Sequence, residues 1–195
     1  MKNIYEKIIN IFIHKNLIAE EEKELYICGL EQIILYIVNI VTMIILGITF
    51  KLVLETILFI LTYIYIRIYA GGYHCRTPLK CYIFSVLMLV VVLSTLKGQA
   101  LRNPLIITVI SIISSIIILS LAPIEDENKP LDEIEIKVYE KRTTRNLLIV
   151  LSLLLLTLIL NKINLSAYIC ISLLCNGIML MLGKINNSIR YKYSK

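Results

Sequence analysis

Only two histidines occur in the 195 residues, and one of them, His74, stands seven residues before a cysteine, Cys81. An imidazole and a thiol within reach of each other form the pair that acyl transfer needs. The thiolate attacks a carbonyl, and the imidazole serves first as general base and then as general acid. The stretch that carries them, Ala70-Gly-Gly-Tyr-His-Cys-Arg-Thr-Pro-Leu-Lys-Cys81, also holds a second thiol (Cys75), two adjacent glycines, and the cations Arg76 and Lys80. Thr77 is a good helix N-cap and Pro78 is favoured at the first helical position, so a helix is expected to start at Pro78. Cys81 then lies in or just beyond the first turn. There the helix dipole and the neighbouring cations favour the thiolate, which is the nucleophilic form. On an unbroken helix His74 would sit about 10 Å from Cys81 along the axis. Gly71, Gly72 and Pro78 argue against an unbroken helix, and a bent loop would fold the imidazole back onto the thiol.

The same residues admit a plainer reading, a positive loop whose His and Cys are incidental. Cys75 is a rival nucleophile, disfavoured because adjacent side chains diverge and because it precedes the expected helix start. A zinc site from His74, Cys75 and Cys81 is short of ligands, and its first two are neighbours in sequence, which suits tetrahedral zinc poorly. No metal or cofactor is expected. Ser85, four residues after Cys81, shares its helix face; it is either a donor to an oxyanion or an ordinary helix serine bonded back to its own backbone. Arg67 either binds a carboxylate or snorkels. Glu31 is a candidate partner for His74. Glu55 reads as an interfacial pair with Lys51, His14 as a surface residue, and Cys170, Cys175 and Asn176 as packing residues.

The elements that must position these groups follow from composition. Hydrophobic residues make up 58% of the chain and charged residues 17%, with a mean hydropathy of +0.81. Soluble chains run at about 45–50% apolar and about 25% charged. This excludes a water-soluble globule, a disordered chain and a disulfide scaffold. The five cysteines read as reduced thiols, and the charged, amphipathic N-terminus does not read as a cleavable signal peptide.

Six apolar runs are visible: Gln32–Phe50, Leu52–Ile66, Cys81–Leu96, Asn103–Ile124, Leu147–Asn161 and Ile163–Gly183. A crossing helix needs about 20 residues, with a range of about 17–25, so the three shortest runs need snorkelling ends or a thinned bilayer. Lys51 and Lys162 alone separate the first and last pairs, which predicts two helical hairpins. The expected fold is therefore all-α: a polytopic membrane protein with six transmembrane helices and an N-terminal amphipathic helix. Residues 1–31 form a cytoplasmic or interfacial amphipathic segment. Residues 32–183 form the transmembrane domain, with a catalytic loop at 67–85 and a cytoplasmic loop at 123–146. Residues 184–195 form a cytoplasmic tail. Within the 123–146 loop, Asp132–Lys141 could form a helix lying on the cytoplasmic face. With both termini cytoplasmic, sixteen of the 20 basic residues fall inside and four outside. That asymmetry is the positive-inside pattern, and charges spread between apolar runs point to a lipid bilayer rather than to nucleic acid.

Three segments resemble the accessory gene regulator B (AgrB-like) family of Gram-positive bacteria. These are Glu21-Glu-Lys-Glu-Leu-Tyr-Ile-Cys-Gly-Leu-Glu31, the stretch Arg67 to Ser85 with its Gly-Gly-x-His-x6-Cys spacing, and Ala122-Pro-Ile-Glu-Asp-Glu-Asn-Lys-Pro-Leu131 followed by Lys141-Arg142. Cys75 is a departure, since the family often carries a small residue there. The resemblance implies a membrane-embedded cysteine endopeptidase of quorum sensing. Its partner would be an AgrD-like precursor peptide with an acidic C-terminal tail, which it removes while closing the rest into a thiolactone or lactone. By the same resemblance Cys81 matches the nucleophile and His74 its partner, and a basic inner face would collect the acidic tail. The alternative is a peptide exporter without covalent chemistry. Such a protein should line several helices with polar groups and break them near the midplane, whereas Asn39, Glu55 and Asn176 are scattered and no proline lies well inside a run. A small bundle of short helices would gain from pairing, which makes a homodimer a reasonable expectation.

Overall fold

Apolar runs cannot leave backbone amides unpaired in lipid, so each must close its own hydrogen bonds as a helix. The computed structural model, which describes residues 2–15, 17–73, 77–97, 101, 103–125 and 131–193, has this all-helical form. Among these residues the order is α1 (Lys2–His14), a 3-10 turn (Glu20–Glu22), α2 (Lys23–Phe50), α3 (Val53–Ala70), α4 (Pro78–Lys97), α5 (Pro104–Leu121), α6 (Glu133–Ile159) and α7 (Ile163–Tyr193). Among the described residues, five helices are long and apolar enough to cross a membrane: α2, α3, α5, α6 and α7. In α4 the apolar stretch Leu79–Thr95 is shorter.

Both expected hairpins are present, and their turns share one design. Lys51 and Asn161 adopt left-handed conformations, with φ of 59° and 55°. Lys51 N donates to Ile48 O and Leu52 N to Gly47 O; Asn161 N donates to Leu158 O and Lys162 N to Thr157 O. This paired pattern satisfies the last carbonyls of a helix while reversing the chain. Helix starts are equally local. Asn103 Oδ1 accepts from Leu105 N at 2.9 Å ahead of Pro104. Asp132 Oδ1 accepts from Glu135 N at 2.7 Å, and Glu135 Oε2 accepts from Asp132 N at 3.2 Å, a reciprocal capping box.

That cap changes one expectation. Residues 133–141 do not form a separate surface helix; they are the first turns of α6, which continues into the apolar stretch to Ile159. A strong start at Asp132 and no glycine or proline before Leu160 leave nothing to interrupt the helix. Likewise α2 reaches back to Lys23, and α7 runs on to Tyr193, because a polar stretch with good helix formers extends a helix that hydropathy alone would end.

α7 is the central helix. It packs most extensively on α5 and α3, and 67% of its apolar window is buried, against 11% for α2. The core joins Ile66 of α3, Ile107 and Ile118 of α5, Leu147 of α6 and Leu173 of α7. A second cluster joins Met43, Phe59, Leu89, Leu93 and Tyr168. Polar ties cross this interior. Thr62 Oγ1 donates to Ser172 Oγ at 2.8 Å. Asn146 Nδ2 of α6 and Asn176 Nδ2 of α7 reach the α3 carbonyls of Tyr65 and Tyr63, at 2.6 and 3.3 Å. Outward faces such as Ile33, Ile37 and Ile48 of α2 and Ile112 and Ile116 of α5 are exposed. So broad an apolar exterior suits lipid and not water. α1 rests on α2, with Tyr5 and Ile9 buried.

Candidate active site

Cys81 occupies the position that local sequence dictates. α4 begins at Pro78, Lys80 N donates to Thr77 Oγ1 at 3.4 Å, and Cys81 N donates to Thr77 O at 3.2 Å. The thiol is half-buried in the first turn. Ser85, one turn on, shares its face and is also half-buried. Tyr63 of α3 lies within electrostatic range of Cys81, of Cys175 on α7 and of Arg67. His74, with Cys75 and Arg76, lies outside the described residues, so the approach of the imidazole to Cys81 is not defined.

What is defined is the chain that leads up to His74. α3 is capped at its C-terminal end by Gly71, whose φ of 70° and ψ of −149° suit glycine alone. Arg67 turns back along the helix end and donates from Nη1 to Gly71 O and from Nη2 to Tyr73 O. Tyr73 N donates to Met179 O of α7 at 2.9 Å, and Ile124 N donates to Ala70 O at 2.9 Å. A Cβ on Gly71 would meet Ile124 O, one on Gly72 would meet Arg67 Nη1, and one on Gly183 of α7 would stand 2.8 Å from Gly72 C and Tyr73 N. Three glycines and one guanidinium thus fix residues 71–73 against α7 and the 122–125 segment. Asn187, one turn beyond Gly183, adds a bond from Nδ2 to Glu125 O at 2.9 Å.

This geometry departs from both readings of Arg67, as a carboxylate binder and as a snorkelling side chain. Its guanidinium serves the protein's own backbone. Residue type and place could suggest a functional arginine, but the partners were not legible. Gly183 was missed altogether, since a glycine at the end of an apolar run looks like a terminator and only the tertiary contact shows it to be a bearing surface. The remaining candidates are dispersed. Glu31 is exposed on α2. Glu55 lies within electrostatic range of Tyr168. Cys170 is fully buried and donates from Sγ to Ile107 O at 3.5 Å, a packing role. Cys28, Cys81, Cys170 and Cys175 are not joined in disulfides.

Above the loop the bundle carries a basic and aromatic corner. The Arg142 guanidinium lies 5.0 Å from the Tyr69 ring centroid and donates from Nη1 to Tyr69 Oη at 3.1 Å, and Tyr139 meets Tyr69 edge-on. Lys141 and Arg145 are exposed beside it. Between α4 and the last turns of α7 runs an open groove of about 560 Å³, to which Tyr73 and Lys80 contribute.

An all-helical bundle with several membrane-length helices, and a thiol at a capped helix start beside a glycine–arginine loop, define a multi-pass membrane protein with one conspicuous site. The family model described as accessory gene regulator B matches residues 5–180, and the chain belongs to that family. Two proteins of Clostridium perfringens described as AgrB-like, one from strain 13 and one from strain SM101, are each 27% identical over 136 residues. The match takes in 67% of this chain, and the chain spans 62% of the length of these curated relatives. No solved structure matches.

Proposed function

We propose that the chain is a membrane-embedded cysteine endopeptidase that removes the acidic tail of an AgrD-like precursor and cyclises the remainder. The observation that carries this reading is the placement of Cys81 in the first turn of α4, where the Thr77–Pro78 start exposes the thiol to the helix dipole. The Cys81 thiolate attacks the carbonyl at the tail junction. The C–N bond breaks, and the departing amine takes a proton from His74. A thioester to Cys81 remains. The peptide's own thiol or hydroxyl attacks that thioester, the ring closes, and the Cys81 thiolate leaves. Exchange of one thioester for another is nearly balanced in energy, so hydrolysis must be suppressed; a site at the rim of the bilayer, partly closed to water, serves that end. In this reading α4 crosses with the five longer helices, making six, both termini are cytoplasmic, and a homodimer is compatible with the exposed faces.

The test is cleavage of an AgrD-like precursor peptide with an acidic tail, assayed in membranes. Cys81→Ala and His74→Ala should each abolish tail release, and Cys75→Ala should leave it intact. Tail release that survives both Cys81→Ala and Cys75→Ala ends the reading; release that survives Cys81→Ala and fails in Cys75→Ala moves the nucleophile to Cys75.

A further inference from the structure

The groove between α4 and α7 has no part in the chemistry just described, yet it begins beside it. Two of its lining residues, Tyr73 and Lys80, are the sequence neighbours of His74 and Cys81. Its walls are apolar, Ile83 and Leu87 from α4 facing Ile185 from α7, and its polar groups among the described residues are few, Asn186 and Lys80 chief among them. Its volume of about 560 Å³ falls within the range of roughly 300–1,000 Å³ typical of ligand pockets.

We infer that this groove is the seat of the peptide segment immediately upstream of the scissile bond, and that it selects large apolar side chains there. The inference rests on the proposed peptidase reading and adds a substrate preference to it. Two physical arguments choose this occupant. An acidic tail would have to carry carboxylates into an apolar trough, at a desolvation cost that apolar side chains do not incur. A lipid chain laid along the groove would cover the Asn186 amide and offer it no acceptor, whereas a peptide backbone presents a carbonyl at every residue. Lys80, at the mouth beside Cys81, then stands where the first acidic residues of the tail would emerge. Anchoring the acyl portion in this way keeps the thioester in place and dry until the ring closes.

The test uses two peptide reagents on the full chain in phosphatidylcholine vesicles. Acetyl-Leu-Phe-chloromethyl ketone and acetyl-Gly-Ala-chloromethyl ketone both alkylate a thiolate, which forms a C–S bond and expels chloride. Modification is read at Cys81 by peptide mass spectrometry, and each rate is divided by the rate of iodoacetamide, which reports thiol reactivity alone. Leu87 and Ile185 are 58% and 53% exposed, so the double variant Leu87→Trp, Ile185→Trp fills the groove without entering the core. The Leu-Phe to Gly-Ala ratio should fall about tenfold in that variant, the scale of losing one buried apolar side chain, with the iodoacetamide rate unchanged. Partition of the reagents into lipid is common to both proteins and cancels. Equal ratios in the two proteins overturn the inference and leave lipid as the occupant. If iodoacetamide modifies Cys81 and precursor cleavage continues, the peptidase reading itself falls, whatever the ratios.

Discussion

Substituting Gly183 by alanine places a methyl carbon 2.8 Å from Gly72 C and Tyr73 N, and 3.0 Å from Gly72 Cα. All three neighbours are backbone atoms, so no rotamer change relieves the overlap. Non-bonded carbons settle at about 3.5–4.0 Å, so α7 and the loop must part by about 1 Å. That displacement breaks the bond from Tyr73 N to Met179 O, now 2.9 Å. Overpacking costs about 1–3 kcal/mol and the lost hydrogen bond about 0.5–1.5 kcal/mol. Alanine is favoured over glycine within a helix by about 1 kcal/mol, which offsets part of this. Gly29 of α2 supplies the control, because an alanine Cβ there meets nothing within 4 Å. Gly29→Ala should therefore stabilise the protein by up to about 1 kcal/mol. The helix preference cancels between the two variants, leaving Gly183→Ala about 1.5–4.5 kcal/mol less stable than Gly29→Ala from the packing and hydrogen-bond costs alone. Thermal unfolding in detergent micelles measures the difference, and hydrogen exchange at the Tyr73 amide locates it. A Gly183→Ala protein as stable as Gly29→Ala, or one with the Tyr73 amide still protected, refutes the reasoning.

Arg67→Met removes both donors from the Gly71 and Tyr73 carbonyls; on the proposed peptidase reading it should lower kcat for precursor cleavage at least tenfold with KM little changed, while Arg67→Lys recovers part of the rate, and a rise in KM with kcat preserved would mean that the guanidinium holds substrate instead. Asp132→Ala removes the side-chain acceptor of the α6 capping box and should cost about 1 kcal/mol, seen as faster exchange of the Glu135 amide, with Asp132→Ser retaining most of the protection; equal exchange in the alanine variant and the unaltered chain would show that the cap contributes nothing.

Much of this architecture could be read from residue order alone, wherever its cause is local. Six apolar runs gave six helices, and the single lysines between paired runs marked the tight reversals. Thr77-Pro78 fixed the start of α4 and hence the place of Cys81. Errors arose at helix ends, where hydropathy changes but helix propensity does not: the charged turns of α6 looked like a separate element because charge and apolarity were read as a boundary. The bearing of Gly183 on Gly72, the double bond from Arg67 to residues 71 and 73, and the groove between α4 and α7 all join segments far apart in the chain or depend on the path of a loop. No periodicity in one sequence records such contacts. The meeting of His74 with Cys81 is of the same kind, and it rests on the family resemblance and on the variants proposed above.

The asparagines that reach α3 have a mechanical consequence. Asn146 and Asn176 grip carbonyls two residues apart, which project from well-separated sides of that helix. α3 is therefore keyed from two directions. Sliding it by one residue, or turning it about its axis, would take Tyr65 O from the Asn146 amide and leave the Asn176 amide only Ser172 O of its own helix, at 2.9 Å, in a medium with no water to replace the lost partners. Motions that alternate an opening between the two faces of a bilayer need such slippage near the centre. The contact of α2 with α4, through Thr42 and Tyr82, lies outside this keyed centre.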